Sequence, residues 1–192
     1  MKKLISLLLA FVMIACIAVG CAPAANNDGN DNEEKGNEVQ TVEALTALQT
    51  AWNALGDDEK PFAMGGGYES MVDNAPGAVP TTDTAYLTSI LLVPEAELSK
   101  VSAAASVMHA MNTNTFCAGA FNLVDGADYG AFATALREAI QGNRWMCGFP
   151  EKLYIANVGN CLVVAYGNGE IVDTFCGKLE GATILYNEAI EG

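Results

Sequence analysis

Leu153-Tyr154-Ile155-Ala156 and Cys161-Leu162-Val163-Val164-Ala165-Tyr166 stand on either side of Asn157-Val158-Gly159-Asn160. Two apolar runs around a Gly/Asn turn predict a β-hairpin. This stretch decides the fold class. Strands joined by a tight turn pair antiparallel, whereas parallel neighbours need a long crossover. On its N-terminal side, the spacing from about Gly126 to Gln141 predicts a helix. Tyr129, Phe132, Leu136, Ala139 and Ile140 share one apolar face. Asp125 and Asp128 suit the N-terminal dipole, and Gly142 suits the position after the last turn. On the C-terminal side, Asn168 is placed to cap a helix with Val172, Phe175 and Leu179 inward and Gly181 ending it.

Further out, Thr115 to Val124 reads as a strand containing Phe116, Phe121, Leu123 and Val124. Val101 to Met108 fits two patterns. Leu98, Val101, Ala105 and Met108 have helical spacing, while Val101, Ala103, Ala105 and Val107 alternate as in a strand. Asn112-Thr113-Asn114 is turn chemistry, so a second hairpin is the economical reading. Near the start, Thr41 is the expected cap of a helix, with Glu43 in its first turn. Val42, Leu45, Leu48, Trp52 and Leu55 lie on its inner face, and Gly56 stops it. Asp83 caps a short helix through Leu87, Ile90 and Leu91, closed before Pro94. Gly65-Gly66-Gly67 and residues 74–80 read as loop. Ala182 to Ile190 is apolar enough to pack, but its pattern selects neither helix nor strand. The expected fold is α+β: an antiparallel sheet of two β-hairpins with helices packed on one face, a two-layer sandwich.

The chain has 192 residues, with 9 Lys plus Arg, 23 Asp plus Glu and a net charge of −14. Such a balance excludes a sequence-independent nucleic-acid binder, which needs cations to displace phosphate counterions. It also argues against adhesion to anionic lipid by charge. Lys2 and Lys3 precede Leu4 to Val19, a run of 16 residues that is apolar except for Ser6. A membrane-crossing helix needs about 20 residues, so the run fits the core of an export signal. Residues 22–38 carry five acids, one base and no aromatic or branched aliphatic side chain. Such a segment has little to bury and reads as a disordered acidic tether. The organisation expected is a signal peptide over 1–20, a tether over 21–38 and one globular domain over 39–192. That domain holds 18 acids and 6 bases, net −12.

Ala18-Val19-Gly20-Cys21 directly after the apolar run resembles the lipobox of bacterial lipoproteins. The resemblance implies cleavage before Cys21 and a diacylglyceryl group on its thiol. Two acyl chains give stable anchoring where one gives only marginal binding. A second resemblance lies in Arg144-Trp145-Met146-Cys147, Leu153-Tyr154-Ile155-Ala156-Asn157, Gly159 and Leu162-Val163-Val164, with Val124-Asp125-Gly126-Ala127-Asp128 before them. Together they are similar to an uncharacterised family of short Gram-positive lipoproteins carrying a conserved domain of unknown function. The likeness spans about 98–179. It implies a strand over 101–108 and export, and it brings no catalytic residues. Cys117, Cys161, Cys176 and the N-terminal helix depart from the family pattern.

Chemistry-bearing residues are few. His109 is the only histidine, no G-x-S-x-G elbow exists, and Cys117 and Cys147 could serve as thiol partners only if folding brought them together. His109 is therefore read as a structural residue at a turn. Met108-His109-Ala110-Met111 offers soft ligands suited to copper, but no further ligand cluster accompanies it, so no metal is expected. Gly65-Gly66-Gly67 lacks a following Lys-Ser/Thr, and a flexible loop is the default over a phosphate cradle. Glu69, Asp73 and Asp83 could form an acidic rim, paired carboxylates being the apparatus of glycoside hydrolysis. Trp52, Trp145 and Tyr154 could line a groove, with core packing as the competing role. Cys117, Cys147, Cys161 and Cys176 allow three complete pairings. Three of them sit in apolar runs, which favours buried free thiols.

The expectation is a membrane-anchored extracytoplasmic lipoprotein, lipidated at Cys21, without cofactor or catalytic residues. It would act as a non-catalytic binding or interaction module on the outer face of the cell membrane, for an envelope protein or a small ligand. The alternative is an extracytoplasmic hydrolase using the acidic rim or a thiol.

Overall fold

The structure is a computed structural model describing residues 41–191. The expected signal peptide, Cys21 and the tether lie outside the described residues. An eight-stranded sheet carries the fold, with strand order β2-β1-β4-β5-β7-β6-β8 and β3 also pairing with β4. The strands are β1 (Ala63–Gly65), β2 (Val72–Asp73), β3 (Gly77–Val79), β4 (Val101–His109), β5 (Phe116–Leu123), β6 (Lys152–Val158), β7 (Cys161–Gly167) and β8 (Ala182–Ala189). All the pairings are antiparallel. The helices are α1 (Ala44–Asn53), α2 (Thr84–Ser89), α3 (Tyr129–Gln141) and α4 (Gly169–Cys176). The protein is α+β.

The quoted stretch forms β6 and β7. Pairing continues to Val158 opposite Cys161, so the turn is only Gly159-Asn160. Gly159 has φ +58°, the left-handed conformation such two-residue turns require. The residues 101–108 are strand. Alternation wins over helical spacing because β5 on one side and β1 and β3 on the other take up the β4 backbone. β8 answers the open assignment of 182–190, pairing with β6 around a bulge.

The expectation of helices on one face is corrected: helices cover both. Along β7, Cys161, Val163 and Ala165 face α1 and α4, with Trp52 and Phe175 in that core. Leu162, Val164 and Tyr166 face α2 and α3, with Leu87, Phe132 and Leu136 in the other. The architecture is three layers. β5 and β7 are buried at every position, which is possible only for strands covered on both faces. T-shaped Phe116–Phe175 and Phe121–Phe132 pairs lock one helix to each face of β5.

Two further expectations change. Glycines 65 and 77 are not loop residues; they belong to β1 and β3. The cap of α1 is Glu43 rather than Thr41, and its side chain makes no capping bond. Asp83, Asp128 and Asn168 do cap α2, α3 and α4, each accepting backbone N–H groups of the first turn.

Candidate functional site

The start of α1 is held from a distance. Asn122, at the end of β5, accepts the Ala44 N–H at 2.8 Å and donates to the Val42 carbonyl at 2.8 Å. Asn160, in the β6–β7 turn, accepts the Val42 N–H at 2.6 Å. Tyr129 ties the pair together, donating to the Asn160 carbonyl at 2.6 Å and accepting the Leu123 N–H at 3.0 Å. The first donor of the helix, the Ala44 N–H, is thus satisfied by a side chain remote in sequence, and the residue before the cap is held the same way. Every group in this network is spent on structure. Sequence reading missed it because an asparagine in a strand end or a turn signals nothing about a helix more than 75 residues earlier.

Gly65-Gly66-Gly67 is a backbone junction. The Gly66 N–H donates to Ser106 Oγ at 3.0 Å, Ser106 Oγ donates to the Gly66 carbonyl at 3.2 Å, and the Gly67 N–H goes to Ser70 Oγ at 3.1 Å. These N–H groups are already satisfied within the fold. Tyr86 OH meets Ser106 Oγ at 2.9 Å and Met108 sulfur at 3.7 Å, and burial pushes this phenol well above its ordinary value.

The expected acidic residues separate. Asp83 accepts the Tyr86 N–H at 3.2 Å through one oxygen and the Tyr68 N–H at 2.9 Å through the other. Glu69 shares a shallow cleft with it, together with Tyr68, Pro80 and Thr82. Asp73 stands on β2, outside that cleft. His109 ends β4, and its Nδ1 accepts the N–H groups of Met111 and Asn112, both at 3.3 Å. Met108 is buried in the core on the α3 face while Met111 is 80% exposed, so the soft ligands point apart. Among the described residues no three His, Cys, Asp or Glu side chains gather as metal ligands. Trp52 and Tyr154 are buried with α1 and α4, whereas Trp145 packs on the opposite face against Tyr166.

All four cysteines of the described domain are free; Cys117, Cys161 and Cys176 are buried and Cys147 is exposed. Burial pushes the Cys117 and Cys161 thiols up to about 12 and the Cys176 thiol further. That shift is opposite to the one that makes a cysteine nucleophilic.

One surface feature gathers residues from separate parts of the chain. At the sheet end where β4 leads into β5, Asn112 donates to the Cys147 carbonyl at 3.0 Å. Asn114 donates to the Met146 and Gly148 carbonyls at 2.8 and 2.9 Å. The Ala110 N–H reaches the Phe62 carbonyl at 2.9 Å. Three loops are thereby joined, and their apolar side chains stay in solvent: Met111 at 80%, Met146 at 78%, Phe149 at 66% and Phe62 at 61% exposure. Cys147, at φ +67°, is within this tip. Val42 and the start of α1 lie at the other end of β5, beside Asn122 and the β6–β7 turn. Eight strand residues separate the two ends, roughly 27 Å at strand rise. Neighbouring loops thus expose several large apolar groups together, whereas scattered single ones are ordinary.

The fold and its surface define an α+β domain with a three-layer core and an apolar tip. No family model, curated protein or solved structure matches the chain. Among the described residues no helix is long and apolar enough to cross a membrane.

Proposed function

We propose that this protein is a lipid-anchored extracytoplasmic interaction module that presents its apolar tip to an envelope protein. The observation that carries the reading is the tip itself. Met111, Met146 and Phe149 are exposed together on loops tied by Asn112 and Asn114, and Phe62 is joined to them through the Ala110 N–H, so docking an apolar partner there costs little ordering entropy. The tip is also at the opposite end of β5 from Val42 and Asn122. The lipobox-like Ala18-Val19-Gly20-Cys21 after the apolar run Leu4 to Val19 supports the anchor.

The hydrolase alternative draws less support. Asp83 has both carboxylate oxygens engaged by backbone N–H groups, Asp73 is elsewhere, and the buried thiols are held protonated. A catalyst needs a base or nucleophile beside an orienting group and a place for the reacting atom.

Two experiments test the reading separately. Cys21→Ala should move the protein from the membrane to the soluble fraction or leave it unprocessed; unchanged membrane retention and mass would refute the anchor. A photo-crosslinking residue at Met111 or Phe149 should trap an envelope protein in intact cells, and one at Glu170 on α4 should not. Equal yields at both places, or a Phe62→Ser/Met146→Ser variant that crosslinks through position 111 as before, would refute the tip.

A further inference from the structure

β8 is the outermost strand beyond β6, and its eight residues pair with the sheet on one side only. The Ile190 N–H donates inward to the Glu151 carbonyl at 3.1 Å. Alternation along an antiparallel strand therefore directs the backbone groups of Ala189 and Asn187 outward. The Ala189 carbonyl is taken by Gln141 Nε2 at 2.9 Å, and Gln141 is itself held by the Glu191 N–H at 3.1 Å. Asn187 has no such guard. Residues 182–189 contain no proline and no lysine, the usual devices that blunt a strand edge.

A cleft flanks this part of β8 on each face. The one beside α3, about 570 Å³, is lined by Arg137, Glu138, Gln141, Glu188, Ala189 and Glu191. The one beside α4, about 280 Å³, includes Glu151, Lys152, Gly169 and Asn187. Their cations are spoken for. Arg137 binds Glu188 at 2.7 Å, and Lys152 binds Asp173. Glu138 and Glu191 have no ion-pair partner among the described residues. The α3-side cleft therefore offers the unpaired Glu138 and Glu191, and the α4-side cleft offers Glu151, which accepts from Asn168 Nδ2 at 3.1 Å and the Gly169 N–H at 2.8 Å but has no ion-pair partner among the described residues.

We propose that β8 captures an extended, net-cationic peptide segment of another protein as an added strand. Main-chain hydrogen bonds at Asn187 would supply affinity. Lysine or arginine side chains, alternating between faces, would enter the two acidic clefts. Charge selects this occupant over a second copy of the chain, since two domains of net −12 repel. The site is distinct from the tip and does not depend on Cys21.

The test uses the full chain in mild detergent and a lysine-rich synthetic peptide about nine residues long, free of proline, with a glutamate-substituted counterpart. Binding is followed by fluorescence anisotropy and amide exchange. The basic peptide should bind, slow exchange in 182–189, and weaken with added salt, while the acidic counterpart should not bind. Asn187→Pro should weaken binding roughly tenfold or more by deleting the outward donor. Circular dichroism checks that the variant folds. Glu138→Lys with Glu191→Lys tests the clefts without touching the backbone and should also weaken binding. Equal binding by the acidic peptide, protection only outside β8, or full binding to these variants would overturn the proposal. Protection of β8 that rises with protein concentration alone would overturn it in favour of self-pairing. Tip variants should leave the peptide affinity unchanged, so failure here is distinguishable from failure of the tip.

Discussion

The two edges of the sheet are built in opposite ways. On the β8 side one strand of eight residues runs the length of its neighbour. On the other side, the outer edge of β4 is covered in two pieces, β1 opposite 107–109 and β3 opposite 104–106, with the two-residue β2 beyond. The short edge closes itself through backbone contact. Gly65 and Gly77 meet where the pieces join, and Ser106 fills the junction with hydrogen bonds to Gly66 and Tyr86. The long edge is restrained mainly from the side. Arg137 and Gln141 of α3 grip Glu188 at 2.7 and 2.9 Å. Broken strands and glycine contacts leave little edge to extend, whereas a side-chain clip leaves the ladder open.

Four measurements would break or sharpen this contrast. The largest effect is expected from Gly65→Ala. A Cβ there would lie 2.5 Å from the Ser106 carbonyl, 2.6 Å from the Gly77 nitrogen and against the Ala75 carbonyl. All are backbone atoms that cannot step aside, so the loss should reach about 3 kcal/mol. Denaturant unfolding reads it, and wild-type stability would show that the junction is looser than drawn. Next, Ser106→Ala removes a buried hydroxyl shared by Gly66 and Tyr86. The cost of the stranded polar groups is about 1–3 kcal/mol, with faster amide exchange in β1 and β3 and no change in β8.

Acid should act on the long edge instead. The Arg137 guanidinium, then Gln141, hold the Glu188 carboxyl below its usual range. A lowered pKa means that the clip stabilises the fold above the ordinary glutamate value and that this is lost as pH falls through the folded one. The pair is largely solvated, so the loss should be small. Below the ordinary glutamate range, exchange in β8 should rise, and Glu188→Gln should remove the dependence. The smallest effect belongs to Asn187→Pro. An outward-facing edge position tolerates proline, so stability should stay within about 0.5 kcal/mol. A large loss would mean that the Asn187 N–H points into the sheet.

Much of the scaffold was legible. The β6–β7 hairpin, α3 and the Asp83 and Asn168 caps follow from local pattern and turn chemistry, and these are interactions within a few residues. The second helical face has a signal in the sequence of β7. Leu162-Val163-Val164-Ala165 is a continuous apolar run, not an alternation, and such a run belongs to a strand buried on both sides. Gly65 and Gly77 looked like loop because composition cannot tell a flexible glycine from one crowded by another backbone. The apolar tip was beyond the sequence altogether. Phe62, Met111, Met146 and Phe149 are scattered over almost ninety positions, and only loop contacts assemble them.

The sequence by itself determined the acidic charge, the antiparallel hairpin and the class of the fold. Those depend on composition and on near neighbours. Tertiary structure alone decided where α1 begins, since Asn122 and Asn160 provide the hydrogen bonds that no residue of its own first turn supplies. It also decided which apolar groups remain in solvent and which edge stays open. Burial and backbone pairing are properties of contacts between distant segments, and a chain's local pattern does not contain them.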